Sequence, residues 1–133
     1  MRSLVAIPLA LLAACSASVG PEVQSSPESE ARLQEALAGR VAGSPVACLQ
    51  QRDIRGRRAI DEQTILFDGP GSVVYVNRAR NACAGLRPWH ALRTRTLGTS
   101  VCEGDLVVPF DPNSGIEYGG CTLGQFTPYR RSS

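Results

Sequence analysis

Apolar positions fall into three regimes along the chain. From Leu4 to Ala14 they run almost unbroken, a stretch too short to span a bilayer as a mature helix. From Ser16 to Ser26 they thin out among serines, with Gly20, Pro21 and Glu22 in the middle, and the segment reads as a flexible tether. At full extension its ten or so residues reach about 35 Å. Beyond it the pattern becomes periodic. Ser26-Pro27-Glu28 supplies an N-cap, a first-turn proline and an early acid, and Leu33, Leu37 and Val41 recur four apart. That spacing predicts an amphipathic helix over 27–43, with Gly39 and Gly43 as places to stop. From Val46 the chain changes to short β-branched and aromatic segments broken by turn residues, which predicts a β domain over 46–131. The clearest piece is a hairpin: Thr64 to Phe67, the turn Asp68-Gly69-Pro70-Gly71, then Ser72 to Asn77. Apolar residues occupy both faces of its second strand, so that strand is expected at the centre of a sheet. Further strands are expected at Val46–Gln50, Ala91–Thr96, Leu106–Phe110 and Cys121–Phe126, with Pro109 and Pro112 marking an edge. The fold class is therefore mainly β: a small antiparallel sheet or barrel of five to six strands with one short N-terminal helix.

The first regime has a targeting logic. Arg2, the apolar run and the small residues ahead of Cys15 form a lipoprotein signal peptide, residues 1–14, ending in the lipobox Leu12-Ala13-Ala14-Cys15. Cys15 is the expected lipidation site, and several acyl chains on one residue anchor stably where a single chain is marginal. Residues 15–26 then become a lipidated tether. Ser16 rather than aspartate follows the cysteine, which by resemblance to lipoproteins of diderm bacteria implies the periplasmic face of the outer membrane.

Cysteine usage changes the picture of the domain. Besides Cys15 there are Cys48, Cys83, Cys102 and Cys121, an even number spaced by 35, 19 and 19 residues without a C-x-x-C pair. In an oxidising compartment this predicts two disulfides rather than zinc, which suits a domain of about 119 residues with a small core. Three pairings are open. The nested one, Cys48 with Cys121 and Cys83 with Cys102, would tie first and last strands together.

Charge alters little. Fourteen cations, all arginine, face twelve acids, so the overall field neither selects nor rejects polyanions. Arg52, Arg55, Arg57 and Arg58 are the densest charge and form a candidate anion-binding group for lipid phosphate or acidic cell-wall groups, beside Asp53, Asp61 and Glu62. His90 is the one histidine, which excludes multi-histidine metal sites. Glu103 and Asp105 stand two apart and would share a face of an extended segment. With His90 they are the sole candidates for an acid–base site. Asp68-Gly69-Pro70-Gly71-Ser72 lacks the lysine of a phosphate-binding loop, and no Gly-x-Ser-x-Gly elbow occurs. No cofactor or metal is implied. Trp89 and the three tyrosines are scattered, so no aromatic stacking platform, and hence no nucleic-acid partner, is expected.

Several segments together resemble a known pattern: Gly39-Arg40-Val41-Ala42-Gly43, Cys48, Arg52-Asp53-Ile54, Tyr75-Val76-Asn77, Cys83-Ala84-Gly85-Leu86, Cys102-Glu103-Gly104-Asp105, and a closing Cys121-Thr122-Leu123-Gly124-Gln125-Phe126-Thr127-Pro128-Tyr129. They are similar to a family of small uncharacterised bacterial envelope lipoproteins, a domain of unknown function. That resemblance implies a disulfide framework and carries over no catalytic residue. The sequence thus points to a noncatalytic binding or accessory module joined to the membrane by a lipid anchor, with an envelope protein, lipid phosphate or cell-wall glycan as partner. An envelope hydrolase using His90 with Glu103 or Asp105, and a purely structural lipoprotein, are the alternatives.

Overall fold

The computed structural model describes residues 25–132. The expected signal peptide, Cys15 and most of the expected tether lie outside the described residues. The helix α1, Pro27–Leu37, begins where the sequence placed it: the Ser26 hydroxyl accepts from the Ser29 N–H at 3.1 Å. It ends six residues earlier than expected. Gly39 adopts a left-handed φ of +72°, and Arg40–Ala42 enters strand β1, whose backbone pairs with the far end of the chain. Val41 accordingly leaves the helical stripe and is exposed, while Leu33, Ala36 and Leu37 keep it.

Nine further strands follow: β2 (Cys48–Gln50), β3 (Gly56–Ala59), β4 (Thr64–Asp68), β5 (Val74–Arg78), β6 (Ala91–Arg95), β7 (Ser100–Cys102), β8 (Leu106–Phe110), β9 (Cys121–Thr122) and β10 (Phe126–Arg131). The main sheet has five antiparallel strands in the order β1-β10-β5-β4-β3, and the expected hairpin is its β4–β5 pair. Two smaller antiparallel sheets, β2-β7 and β6-β8-β9, accompany it. Among the described residues the protein is therefore mainly β, antiparallel, disulfide-linked and flanked by one α-helix.

Alternation along β4 and β5 sorts the core into two layers. Leu66, Val74 and Val76 face α1, and Leu33 and Leu37 cover them. Ile65 and Phe67 face the other way with Phe126, whose ring meets Phe67 edge-on at 5.2 Å, and pack against Leu49, Val101 and Val107 of the smaller sheets. β5 has apolar residues on both faces because it lies between these layers, third of five in its sheet.

The disulfides are Cys48–Cys102 and Cys83–Cys121. This interlaced pairing corrects the nested one. Cys48 and Cys102 are direct partners in the β2–β7 ladder. The segment expected as one strand from Cys121 to Phe126 is two strands in different sheets, so Cys121 does not sit on the last strand at all. Between them Gly124 passes so close to the Arg78 carbonyl that a Cβ there would lie 2.4 Å from it. Pro109 also departs from expectation. It is buried in β8, the middle strand of its sheet. Its carbonyl accepts from the Tyr118 N–H, and the missing N–H falls on that same side, beyond the end of the two-residue β8–β9 ladder.

Candidate functional site

Two loops converge at one end of the β6-β8-β9 sheet: the segment from Cys83 to His90 leading into β6, and the segment from Asp111 to Gly120 after β8. The Cys83–Cys121 disulfide joins their bases. Leu86 is fully buried and anchors the first loop, and tight turns (Leu86 N–H to the Cys83 carbonyl, His90 N–H to the Arg87 carbonyl) bring Trp89 out to the surface between them. Its side chain is 68% exposed. Gly85 is required by what crosses it: a Cβ there would lie 2.3 Å from the Tyr118 Cβ. Tyr118 thus lies flat against the first loop and stacks on His90, ring centroids 4.6 Å apart and planes 19° from parallel. His90 in turn meets Trp89 edge-on at 5.9 Å. Its Nδ1 is 2.8 Å from the Gly85 carbonyl, which can only accept, so Nδ1 carries the proton.

The result is a row of three rings with a groove on each side. One, about 410 Å³, runs between the start of α1 and Trp89 over a floor of Ile60 and Leu86. Its charged groups are Glu28, Asp61 and Glu62 against Arg32 and Arg87, and Arg87 pairs with Glu62 at 2.7 Å. The other, about 400 Å³, lies beside Tyr118, Gly119 and Gly120. Asp111 sits near His90. Its carboxyl is held below the usual carboxylate range, first by the Asn113 N–H, which outweighs the opposing effect of desolvation, with lesser contributions from bonds from Ser114 and the proximity of His90.

The aromatic row is the feature that sequence reasoning missed, and it corrects the expectation that Trp89 and the tyrosines stay apart. Tyr118 reaches His90 through tertiary contact alone. Glycine signalled it: Gly85, two residues after Cys83, leaves room for Tyr118 to pack closely beside the disulfide.

The other sequence candidates lie elsewhere. Glu103 pairs with Arg80, and Asp105 accepts the Cys102 N–H at 2.7 Å within a turn. Neither is hydrogen-bonded to His90, whose ring is engaged by Gly85 and Tyr118. The arginines do not form one group. Arg52 is exposed in a short 3-10 turn, Gln51–Asp53, and Arg55 is exposed beside it. Arg57 and Arg58 are neighbours on β3 and so point to opposite faces. Arg58 pairs with Asp68. Arg57 is half-buried, its Nε has no partner, and burial pushes its guanidinium below the usual pKa. A smaller cleft of about 240 Å³ lies near Cys48, with Asp53, Ile54, Asp68 and Tyr75 on its walls. Among the described residues no group of three or more His, Cys, Asp or Glu side chains is placed to hold a metal, and no helix is long and apolar enough to cross a membrane.

Neither family models, curated proteins nor solved structures match this chain.

Proposed function

We propose that the protein is a noncatalytic binding module, held by lipid at Cys15 on the periplasmic face of the outer membrane, that recognises an envelope partner through the Trp89, His90 and Tyr118 row. The observation that carries this reading is an exposed tryptophan set edge-on against a histidine that is itself stacked on a tyrosine. A large apolar side chain, two-thirds exposed, has a standing solvation cost unless something covers it. Here it rests on a histidine stacked on a tyrosine, so little rotamer freedom is lost on binding. Rigid aromatic anchors of this type dominate recognition surfaces.

Cross-linking in intact envelopes, with recovery through a C-terminal tag, tests the module. A specific partner recovered with the wild type and lost with Trp89→Ala and Tyr118→Ala supports it. Recovery unchanged by both substitutions overturns it. The anchor is tested separately: Cys15→Ala should move the protein into the soluble fraction, and retention in the membrane contradicts lipidation there.

A further inference from the structure

We infer that the groove beside Trp89 binds an uncharged pyranose glycan, with one sugar ring lying on the indole and its hydroxyls bonded to Glu62 and Arg87. The inference rests on the reading of the Trp89 row as a recognition surface. It adds the chemical class of the ligand.

The charge of the groove decides among the ligands an exposed indole could take. Three carboxylates, Glu28, Asp61 and Glu62, face two guanidinium groups, and Arg87 and Glu62 already neutralise each other. A phosphate-bearing ligand, whether lipid headgroup or nucleic acid, meets an excess of carboxylate where it needs cations. A quaternary amine needs several ring faces around one cation. Trp89 is the one aromatic residue lining this groove. A sugar needs what the groove has. Its C–H face requires one flat apolar surface, and adjacent hydroxyls require a planar donor beside a planar acceptor, as Arg87 and Glu62 provide. Both side chains are more than a third exposed, so they can exchange water for hydroxyls.

Size and continuity extend the site from a single sugar to a chain. A volume of about 410 Å³ lies within the range of small-molecule sites, roughly 300–1,000 Å³. The ring row leads from this groove to the second one of about 400 Å³. Trp89 borders the first and Tyr118 the second, with His90 joining them. An oligosaccharide crossing the row would lie against Trp89 at one end and Tyr118 at the other.

Trp89 is the sole tryptophan, so the intrinsic emission of the full chain in detergent micelles reports this groove alone. The probes are the N-acetylglucosamine tetrasaccharide and cellotetraose, with choline, glycerol phosphate and oligodeoxythymidylate as competitors in class. A saturable emission change with either sugar is expected. Trp89→Ala, followed by calorimetry, should weaken sugar binding at least about tenfold, and Tyr118→Ala should weaken it without unfolding the protein. Leu97→Ala, fully exposed beyond the opposite end of β6, should leave it unchanged. Sugar binding that survives Trp89→Ala, or a response to choline or phosphate probes with none to sugars, overturns the glycan assignment. If envelope capture depends on Trp89 while no sugar responds, the ligand class fails and the recognition surface stands. If capture ignores Trp89 as well, both fail.

Discussion

Asn77 offers the sharpest test of the core. It is fully buried on the inner face of β5 and uses both ends of its amide on one residue: Nδ2 donates to the Gly124 carbonyl at 2.8 Å, and Oδ1 accepts from the Gly124 N–H at 2.9 Å. These bonds satisfy the backbone where the chain crosses between two sheets. Asn77→Asp keeps the shape and the acceptor. As a neutral acid the introduced carboxyl still donates to the Gly124 carbonyl, and both bonds survive. Ionised, it sets oxygen against oxygen inside the core. Burial raises a carboxyl pKa by as much as 3–5 units; a rise of about 3 units, at 1.36 kcal/mol each, costs about 4 kcal/mol at pH 7. The sign follows from linkage. The folded pKa lies above the unfolded value of about 3.9, so the folded state binds more protons, and stability falls as pH rises between the two. Urea denaturation of variant and wild type at pH 3 to 8 measures the difference. It should be small near pH 3 and grow to several kcal/mol by pH 7. A difference independent of pH, or under about 1 kcal/mol at pH 7, would refute the buried two-bond geometry.

Other expectations follow from single contacts. Gly124→Ala should cost about 3 kcal/mol or prevent folding, because its Cβ would meet a backbone carbonyl that cannot move aside; a denaturation midpoint near wild type would contradict the close crossing. Nonreducing peptide mapping should recover Cys48 with Cys102 and Cys83 with Cys121, and a Cys48–Cys121 peptide would disprove the interlaced pairing. Arg58→Ala should cost under about 1 kcal/mol, since both partners of its ion pair are substantially exposed; a larger loss in the same melts would show that the pair does more. Asp111 has a depressed folded pKa, so its contribution is complete above the unfolded value of about 3.9 and is lost as pH falls through the folded one. The Asn113 amide shift should report that midpoint, and a value at or above 3.9 would sink the assignment.

What the sequence made legible was local. The start of α1 is written in three adjacent residues, and the β4–β5 hairpin in a turn flanked by apolar runs. The end of α1 was hidden because Arg40–Ala42 is held by Arg131, Arg130 and Tyr129, some ninety residues away. Strand β3 was hidden by its position: as an edge strand it tolerates Arg57 and Arg58 in succession, and apolar alternation gives no sign of it. The cysteines predicted a framework, but pairing depends on which sheet each strand joins. Tyr118 escaped notice for the same reason. No periodicity links it to His90.

The interlaced disulfides divide labour within the domain. Cys48–Cys102 ties β2 to β7, whereas Cys83–Cys121 ties the loop carrying Gly85, Trp89 and His90 to the segment carrying Tyr118. The two close loops of similar length, 54 and 38 residues. Each is therefore worth about 4 kcal/mol in the chain-entropy model, and they differ by about 0.3 kcal/mol. This near-equality makes one the stability-matched control for the other. With both cysteines of a pair replaced by alanine, each variant should lose comparable stability. Only loss of Cys83 and Cys121 should separate Tyr118 from His90, abolishing the nuclear Overhauser contacts between their rings while the protein stays folded. If those contacts persist without Cys83–Cys121, Gly85 and Pro109 suffice to hold the row. If they vanish in both variants, the row depends on overall stability, and the second disulfide has no special part in building the site.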